Sequence, residues 1–211
     1  MTGASLLRVA ATHPAADVLG PGRRYVVWVQ GCPLDCAGCV SPQWIPDEGG
    51  TDLGVEELAA TIAESAVDGL TLSGGEPFAQ AEALVELVAA VRRRRDLSVM
   101  SYTGFVLERL RSHGTAAQRA LLGMLDILVD GPYVRRLHAD LRWRGSSNQR
   151  VHLLTGRHAD LAGLADESQG LQLEVADDGG LRWIGVPVIP DFRQRLEARL
   201  DLTIPDRKES P

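Results

Sequence analysis

Lysine is nearly missing from this 211-residue chain. Its one lysine, Lys208, sits in the terminal DRKESP, which reads as a mobile tail, so a buried catalytic lysine is excluded. Cysteine is almost as scarce, with three residues at Cys32, Cys36 and Cys39. An odd, sparse and crowded set argues against a secreted disulfide framework and points to ligation or redox chemistry in a reducing compartment. Aromatic residues make up 5% of the chain, and 22 basic against 28 acidic residues leave a net charge of −6. Few stacking platforms and a negative balance exclude a general nucleic-acid binder. No apolar run approaches the roughly 18 residues needed to cross a bilayer. The opening MTGASLLRVAATHP also lacks the charged start and apolar stretch of a secretory signal, so the expected location is the cytoplasm, away from membranes.

What is present suits one globular domain, perhaps with a small addition: 45% of residues are hydrophobic and 24% charged. Folding at this size hides roughly 70% of the unfolded surface, enough for a core without staples. Tyr25 to Val29 is a strongly β-prone run that breaks into QGCPLDCAGCVSPQW. Leu53 to Ala66 has helical spacing, and Gly69 to Leu72 reads as a strand closed by Ser73-Gly74-Gly75-Glu76-Pro77. Helix is expected from Gln80 to Arg94, strand from Leu97 to Ser101, helix over Phe105 to Arg111 and Ala116 to Leu122, and strand over Ile127 to Val129. Strand followed by helix about every 28 residues predicts parallel βα units in an open or incompletely closed sheet. Their polar, glycine-rich loops would then gather at the C-terminal edge of the strands, where ligand sites form. The basic run Arg92 to Arg95 reads as a solvated last helical turn opposing the dipole, with a partner patch as the alternative. Further on, Leu171 to Val175 and Leu181 to Val186 predict a hairpin turning at Ala176 to Gly180, before a short helix over Phe192 to Leu200.

Cys32, Cys36 and Cys39 place three soft thiolates within eight residues of one loop. Such a set suits an iron–sulfur cluster with one iron left open, a zinc site borrowing a fourth ligand, or a redox thiol group. The only histidines are His13, His113, His138, His152 and His158, none at the local spacing of a zinc finger.

The spacing of those cysteines after an apolar strand, followed in order by LSGGEPFAQ and SYTGF, resembles the radical S-adenosylmethionine superfamily. More narrowly, VQGCPLDCAGC, TLSGGEP, ILVDGPYV and LRWRGSSNQRVH resemble the activating proteins of anaerobic ribonucleoside-triphosphate reductases, over about Gly22 to Leu154. The resemblance implies a partial (β/α)6-type barrel over residues 1–155 and an extension over 156–211. It implies a [4Fe-4S] cluster on Cys32, Cys36 and Cys39, whose open iron chelates the methionine end of S-adenosylmethionine. It further implies that Ser73, Gly74, Gly75, Glu76 and Pro77 face the methionine amino group, with Ser101, Thr103 and Gly104 near the cofactor. Gly38 stands where the wider superfamily often has an aromatic residue against the adenine, which leaves adenine packing unassigned; Pro42 and Trp44 are candidates to cover the loop.

Asp130 and Gly131, together with Trp143, Arg144, Ser146, Ser147, Asn148 and Gln149, are candidates for a substrate or partner loop. Arg144 suits bidentate capture of a carboxylate, Asn148 and Gln149 suit loop organisation, and Trp143 an apolar wall. The implied activity is reductive cleavage of S-adenosylmethionine to make a glycyl radical in a large anaerobic ribonucleotide reductase, with reduced flavodoxin or ferredoxin as electron donor. The alternatives are a stand-alone radical enzyme acting on a small molecule or peptide, which the extra residues motivate, and a metal-bound interaction protein without turnover.

Overall fold

The buried apolar runs become the strands of one sheet, and the computed structural model describes residues 5–175 and 181–200. In chain order the elements are β1 (Leu6–Ala16), β2 (Arg24–Val29), β3 (Thr51–Gly54), α1 (Val55–Glu64), β4 (Gly69–Gly74), α2 (Ala81–Arg92), β5 (Ser98–Tyr102), α3 (Leu107–His113), α4 (Ala116–Leu122) and β6 (Ile127–Asp130). Three short strands follow, β7 (His138–Leu141), β8 (Arg144–Ser146) and β9 (Arg150–Leu153), and then β10 (Leu171–Val175), β11 (Leu181–Gly185) and α5 (Phe192–Leu200). The expected turn over residues 176–180 and the DRKESP tail with Lys208 lie outside the described residues. No described helix is long and apolar enough to cross a membrane.

The main sheet has the order β3-β1-β2-β4-β5-β6-β9. β2, β4, β5 and β6 run parallel, while β1, β3 and β9 add antiparallel margins. This is a mixed α/β fold with a central sheet and flanking helices, and four neighbouring strands of the described seven-stranded sheet run parallel. Helices cover one face: Leu58 and Ile62 of α1 and Leu84, Leu87 and Val91 of α2 pack on Val27, Leu72 and Val99. Because side chains alternate along a strand, the neighbouring Val26, Met100 and Ile127 point to the other face. That face is covered by other means. Ala16, Leu19 and Ile184 lie over Val26, and Trp143 lies over Met100 and Ile127.

Arg24 fills the N-terminal end of the parallel strands and is fully buried. Its guanidinium donates to Thr71 Oγ1 (2.6 Å), the Leu70 carbonyl (2.7 Å) and the Ser98 carbonyl (3.0 Å), which satisfies a cation that burial pushes down to about 10. The opposite, C-terminal end stays open. The basic run after α2 is engaged within the chain, since Arg93 and Arg94 pair with Glu56 and Arg95 donates to the Val67 carbonyl. Hairpin β10–β11 is packed on the core through buried Ile184 and tied to β1 by Glu174, whose carboxylate lies 2.9 Å from His13 Nε2.

Candidate functional site

Chain leaves β2 through Gly31, whose φ of +92° suits glycine, into the cysteine loop. The loop is closed at its base: Gly31 N–H donates to the Trp44 carbonyl and Cys32 N–H to the Ile45 carbonyl, both at 2.9 Å. Gln30 reinforces the closure by donating to the Pro46 carbonyl at 2.7 Å. Inside the loop Cys39 N–H donates to the Cys36 carbonyl, and Trp44 leans on Trp28 with ring centres 5.6 Å apart. All three thiols are free and half-buried. They line one cavity of about 390 Å³ at the C-terminal end of the parallel strands. Burial pushes the Cys32 and Cys39 thiols up, so bare thiolates are disfavoured there without a cationic partner.

The glycine turn after β4 is knitted to the start of that loop. Gly75 N–H donates to the Val29 carbonyl (2.8 Å) and Glu76 N–H to the Gly31 carbonyl (2.9 Å). A Cβ on Gly75 would lie 2.1 Å from the Gly31 oxygen, and one on Gly74 2.4 Å from Val29 N, so both positions demand glycine. Glu76 is 1% exposed and joins this turn to the next strand end. Its carboxylate accepts from Phe78 N–H (2.9 Å), the Thr103 hydroxyl (2.8 Å) and Gly104 N–H (2.8 Å). Burial nevertheless pushes it up to about 7, against those hydrogen bonds. Pro77 opens the turn of 3-10 helix behind it and does not line the cavity.

Ser73, Gly74, Gly75, Glu76, Thr103, Gly104, Gly131, Trp143 and Gln149 share the cavity with the thiols. Other expected residues do not reach it. Ser101 is on the helix-covered side of β5 and donates to the Tyr102 carbonyl; its neighbour Tyr102 faces the cavity instead. Gly38 lines a separate cleft. Arg144 does bind a carboxylate, but that of the chain's own Asp166, and it also donates to the Gln149 carbonyl. Asp130 is 1% exposed and fixes α3 by accepting from Leu107 N–H at 2.7 Å while pairing with Arg150 at 2.8 Å. Burial raises its carboxyl, and Arg150 with the Leu107 N–H outweighs that and holds it low. Ser146 accepts from Val134 N–H, Ser147 N–H donates to the Leu137 carbonyl, and Asn148 donates to the Pro132 carbonyl. Gln149 donates to the Gly131 carbonyl and accepts from Gly145 and Ser146 N–H. The WRGSSNQ stretch is thus a self-bonded scaffold that turns Trp143 into the cavity wall at a left-handed φ of +56°.

Residues 18–152 match the 4Fe-4S single cluster domain family. The anaerobic ribonucleoside-triphosphate reductase-activating protein of Enterobacteria phage T4 is 34% identical over 145 residues, covering 66% of this chain and 89% of that protein. The protein of that description from Vibrio cholerae is 35% identical over 153 residues, covering 68% and 96%. The one from Escherichia coli K12 is 33% identical over 153 residues, covering 67% and 96%. The chain belongs to this family of radical S-adenosylmethionine activating proteins.

The donor set suits an iron–sulfur cluster: three soft thiols, Cys32, Cys36 and Cys39, line one cavity and are bound in no disulfide. Sequence reasoning missed Tyr102, and it missed the β11 residues Arg182, Trp183 and Ile184, which line the same cavity. Alternation along β5 is a signal for Tyr102; nothing local marks the β11 residues.

Proposed function

We propose that this chain is an activase that cleaves S-adenosylmethionine reductively and creates a glycyl radical in an anaerobic ribonucleoside-triphosphate reductase. The observation that carries it is the meeting, in one cavity at the sheet's C-terminal end, of three free thiols, the Gly74-Gly75-Glu76 backbone and the Thr103-Gly104 strand end. We read the sheet as the partial barrel of the radical S-adenosylmethionine fold, its helix-free face turned to the chemistry.

Cys32, Cys36 and Cys39 would hold the [4Fe-4S] cluster. A bound cluster would supply the one-electron reduction by which S-adenosylmethionine is cleaved for hydrogen-atom abstraction from a glycine of the reductase. The chain's residues supply position and exclusion. Gly74 and Gly75 bring polar backbone beside the thiols where any side chain would collide. Glu76 ties that turn to Thr103 and Gly104, so the two strand ends hold a constant spacing. Trp28, Trp44 and Trp143 wall the cavity with apolar surface that helps to exclude solvent from the radical chemistry. A protein substrate completes the enclosure, which agrees with an opening left on one side. Reduced flavodoxin or ferredoxin is the proposed electron donor.

The test is anaerobic incubation of the reduced, cluster-reconstituted protein with S-adenosylmethionine and the large reductase. A glycyl radical signal by electron paramagnetic resonance, with 5′-deoxyadenosine formed in step, is expected. Formation of 5′-deoxyadenosine without any radical on the reductase would redirect the activity to another substrate.

A further inference from the structure

The family match ends at residue 152, yet the cavity does not. Arg182, Trp183, Ile184, Gly185 and Val186 of β11 and its exit line it together with the cysteines. This segment is anchored. Ile184 is 2% exposed against Ala16, Leu19 and Val26, Gln172 accepts from Asp17 N–H at 3.1 Å, and Arg135 pairs with Asp191.

The cavity is therefore lined by two unlike sets of groups. One offers sulfur and backbone polar groups from the cysteine loop and the glycine turn. The other offers Trp143, Trp183, Ile184 and Val186. Trp143 is 4% exposed, and its indole N–H is buried without a partner among the described residues, as is the Tyr102 hydroxyl. Buried donors without partners on an apolar wall are expected where a flat, polar-edged ligand supplies the missing acceptors. The Trp183 ring is itself braced, since Phe192 meets it edge-on at 5.7 Å and 77°. The same ring lines the small cleft above Gly38 and Cys39, where Gly38 brings no side chain.

We propose that Trp183 is a ligand-binding residue: the wall on which the purine of an adenosyl ligand packs, with the Trp143 indole N–H as a donor beside it. This rests on the reading that the thiols and the glycine turn hold the methionine end, and it puts the purine beside Cys39, where Trp183 closes the cleft that Gly38 leaves without a side chain.

The experiment is equilibrium dialysis of S-adenosylmethionine, and separately of methionine, against cluster-reconstituted wild type, Trp183→Phe, Trp183→Leu and Trp183→Ala. Loss of aromatic stacking corresponds to about 10- to 100-fold weaker binding. Trp183→Leu and Trp183→Ala are expected to lose that much affinity for S-adenosylmethionine, with methionine binding unchanged and Trp183→Phe retaining most of it. Trp183→Leu keeps apolar bulk for the hairpin, so it reports on the flat ring even where Trp183→Ala unfolds. Wild-type affinity for S-adenosylmethionine in Trp183→Leu overturns the proposal, as does an equal loss for methionine. A wild-type protein that holds its cluster but binds no S-adenosylmethionine overturns the underlying reading, and that result is visible without any variant.

Discussion

Gly75→Ala tests the join between the glycine turn and the cysteine loop. The new methyl would lie 2.1 Å from the Gly31 carbonyl oxygen and 2.9 Å from that of Trp44, where Cβ contacts under 3.0 Å are essentially never seen. Both obstacles are backbone atoms of a loop closed by its own hydrogen bonds, so they have nowhere to rotate. Relief requires the turn to shift, which breaks Gly75 N–H to Val29 (2.8 Å) and Glu76 N–H to Gly31 (2.9 Å). Two lost hydrogen bonds and the forced repacking together cost about 3–5 kcal/mol. For a chain of this size that lowers Tm by on the order of 10 °C. Gly104→Ala is the matched control, because its methyl would meet only the end of the Leu34 side chain, at 2.3 Å. A rotatable side chain gives way for about 1 kcal/mol. Calorimetry of the metal-free proteins gives both numbers, and iron content after reconstitution should fall in Gly75→Ala alone. A Gly75→Ala protein melting within about 2 °C of wild type would refute the reasoning, and so would equal damage from Gly104→Ala.

Other outcomes follow from single side chains. Glu76 is raised from 4.5 to about 7 on folding, so the native state binds its proton more tightly. Its contribution is most favourable below pH 4.5 and is lost as pH rises to about 7, a change on the order of 3 kcal/mol. Urea unfolding of the metal-free protein across that range should show the slope, and Glu76→Gln should flatten it; an unchanged slope would assign it elsewhere. Asp130→Asn weakens the Arg150 pair and the bond from Leu107 N–H, and should cost about 2 kcal/mol by the same method while leaving iron content intact. Cys36→Ala should abolish iron and sulfide retention yet shift the metal-free Tm by less than about 2 °C, since its thiol is half-buried and makes no disulfide. Retained four-iron spectra in that variant would remove Cys36 from the ligand set.

The parallel core was readable because β2, β4, β5 and β6 are buried on both faces and appear as apolar runs. β1 was not, because Pro14 interrupts its pattern and its burial alternates only in part. β7, β8 and β9 span four, three and four residues, too short for a period to show. The margins of the sheet were hidden for a further reason: β1, β3 and β9 pair antiparallel and fall outside the period of parallel strand-then-helix units. Within the site, the cysteines and the glycine turn were legible because their chemistry needs adjacent residues of fixed type. The pairing of Arg144 with Asp166 was not legible, since the two lie 22 positions apart with no local pattern joining them. Ser101 and Tyr102 differ by one position, and a strand's register decides which of two neighbours meets the ligand.

The two unlike faces of the sheet account for what remained hidden. Helices follow the parallel strands at regular intervals and bury one face, so both strands and helices announce themselves by local periodicity. The other face has no such covering and must be closed by whatever the chain can return to it. Here that is Trp143 from a self-bonded turn and Ile184 from a hairpin latched to β1. These contacts close only around the edges, which leaves the centre open as the cavity. The cavity's β11 lining therefore lies late in the chain and owes its place to tertiary docking, while the cysteines and the glycine turn lie in loops directly after strands. The docking, unlike the loops, leaves no short-range pattern. Its energetic mark is the buried Ile184, so Ile184→Ala should cost about 2–5 kcal/mol where the hairpin is truly part of the core, and far less where it only rests on it.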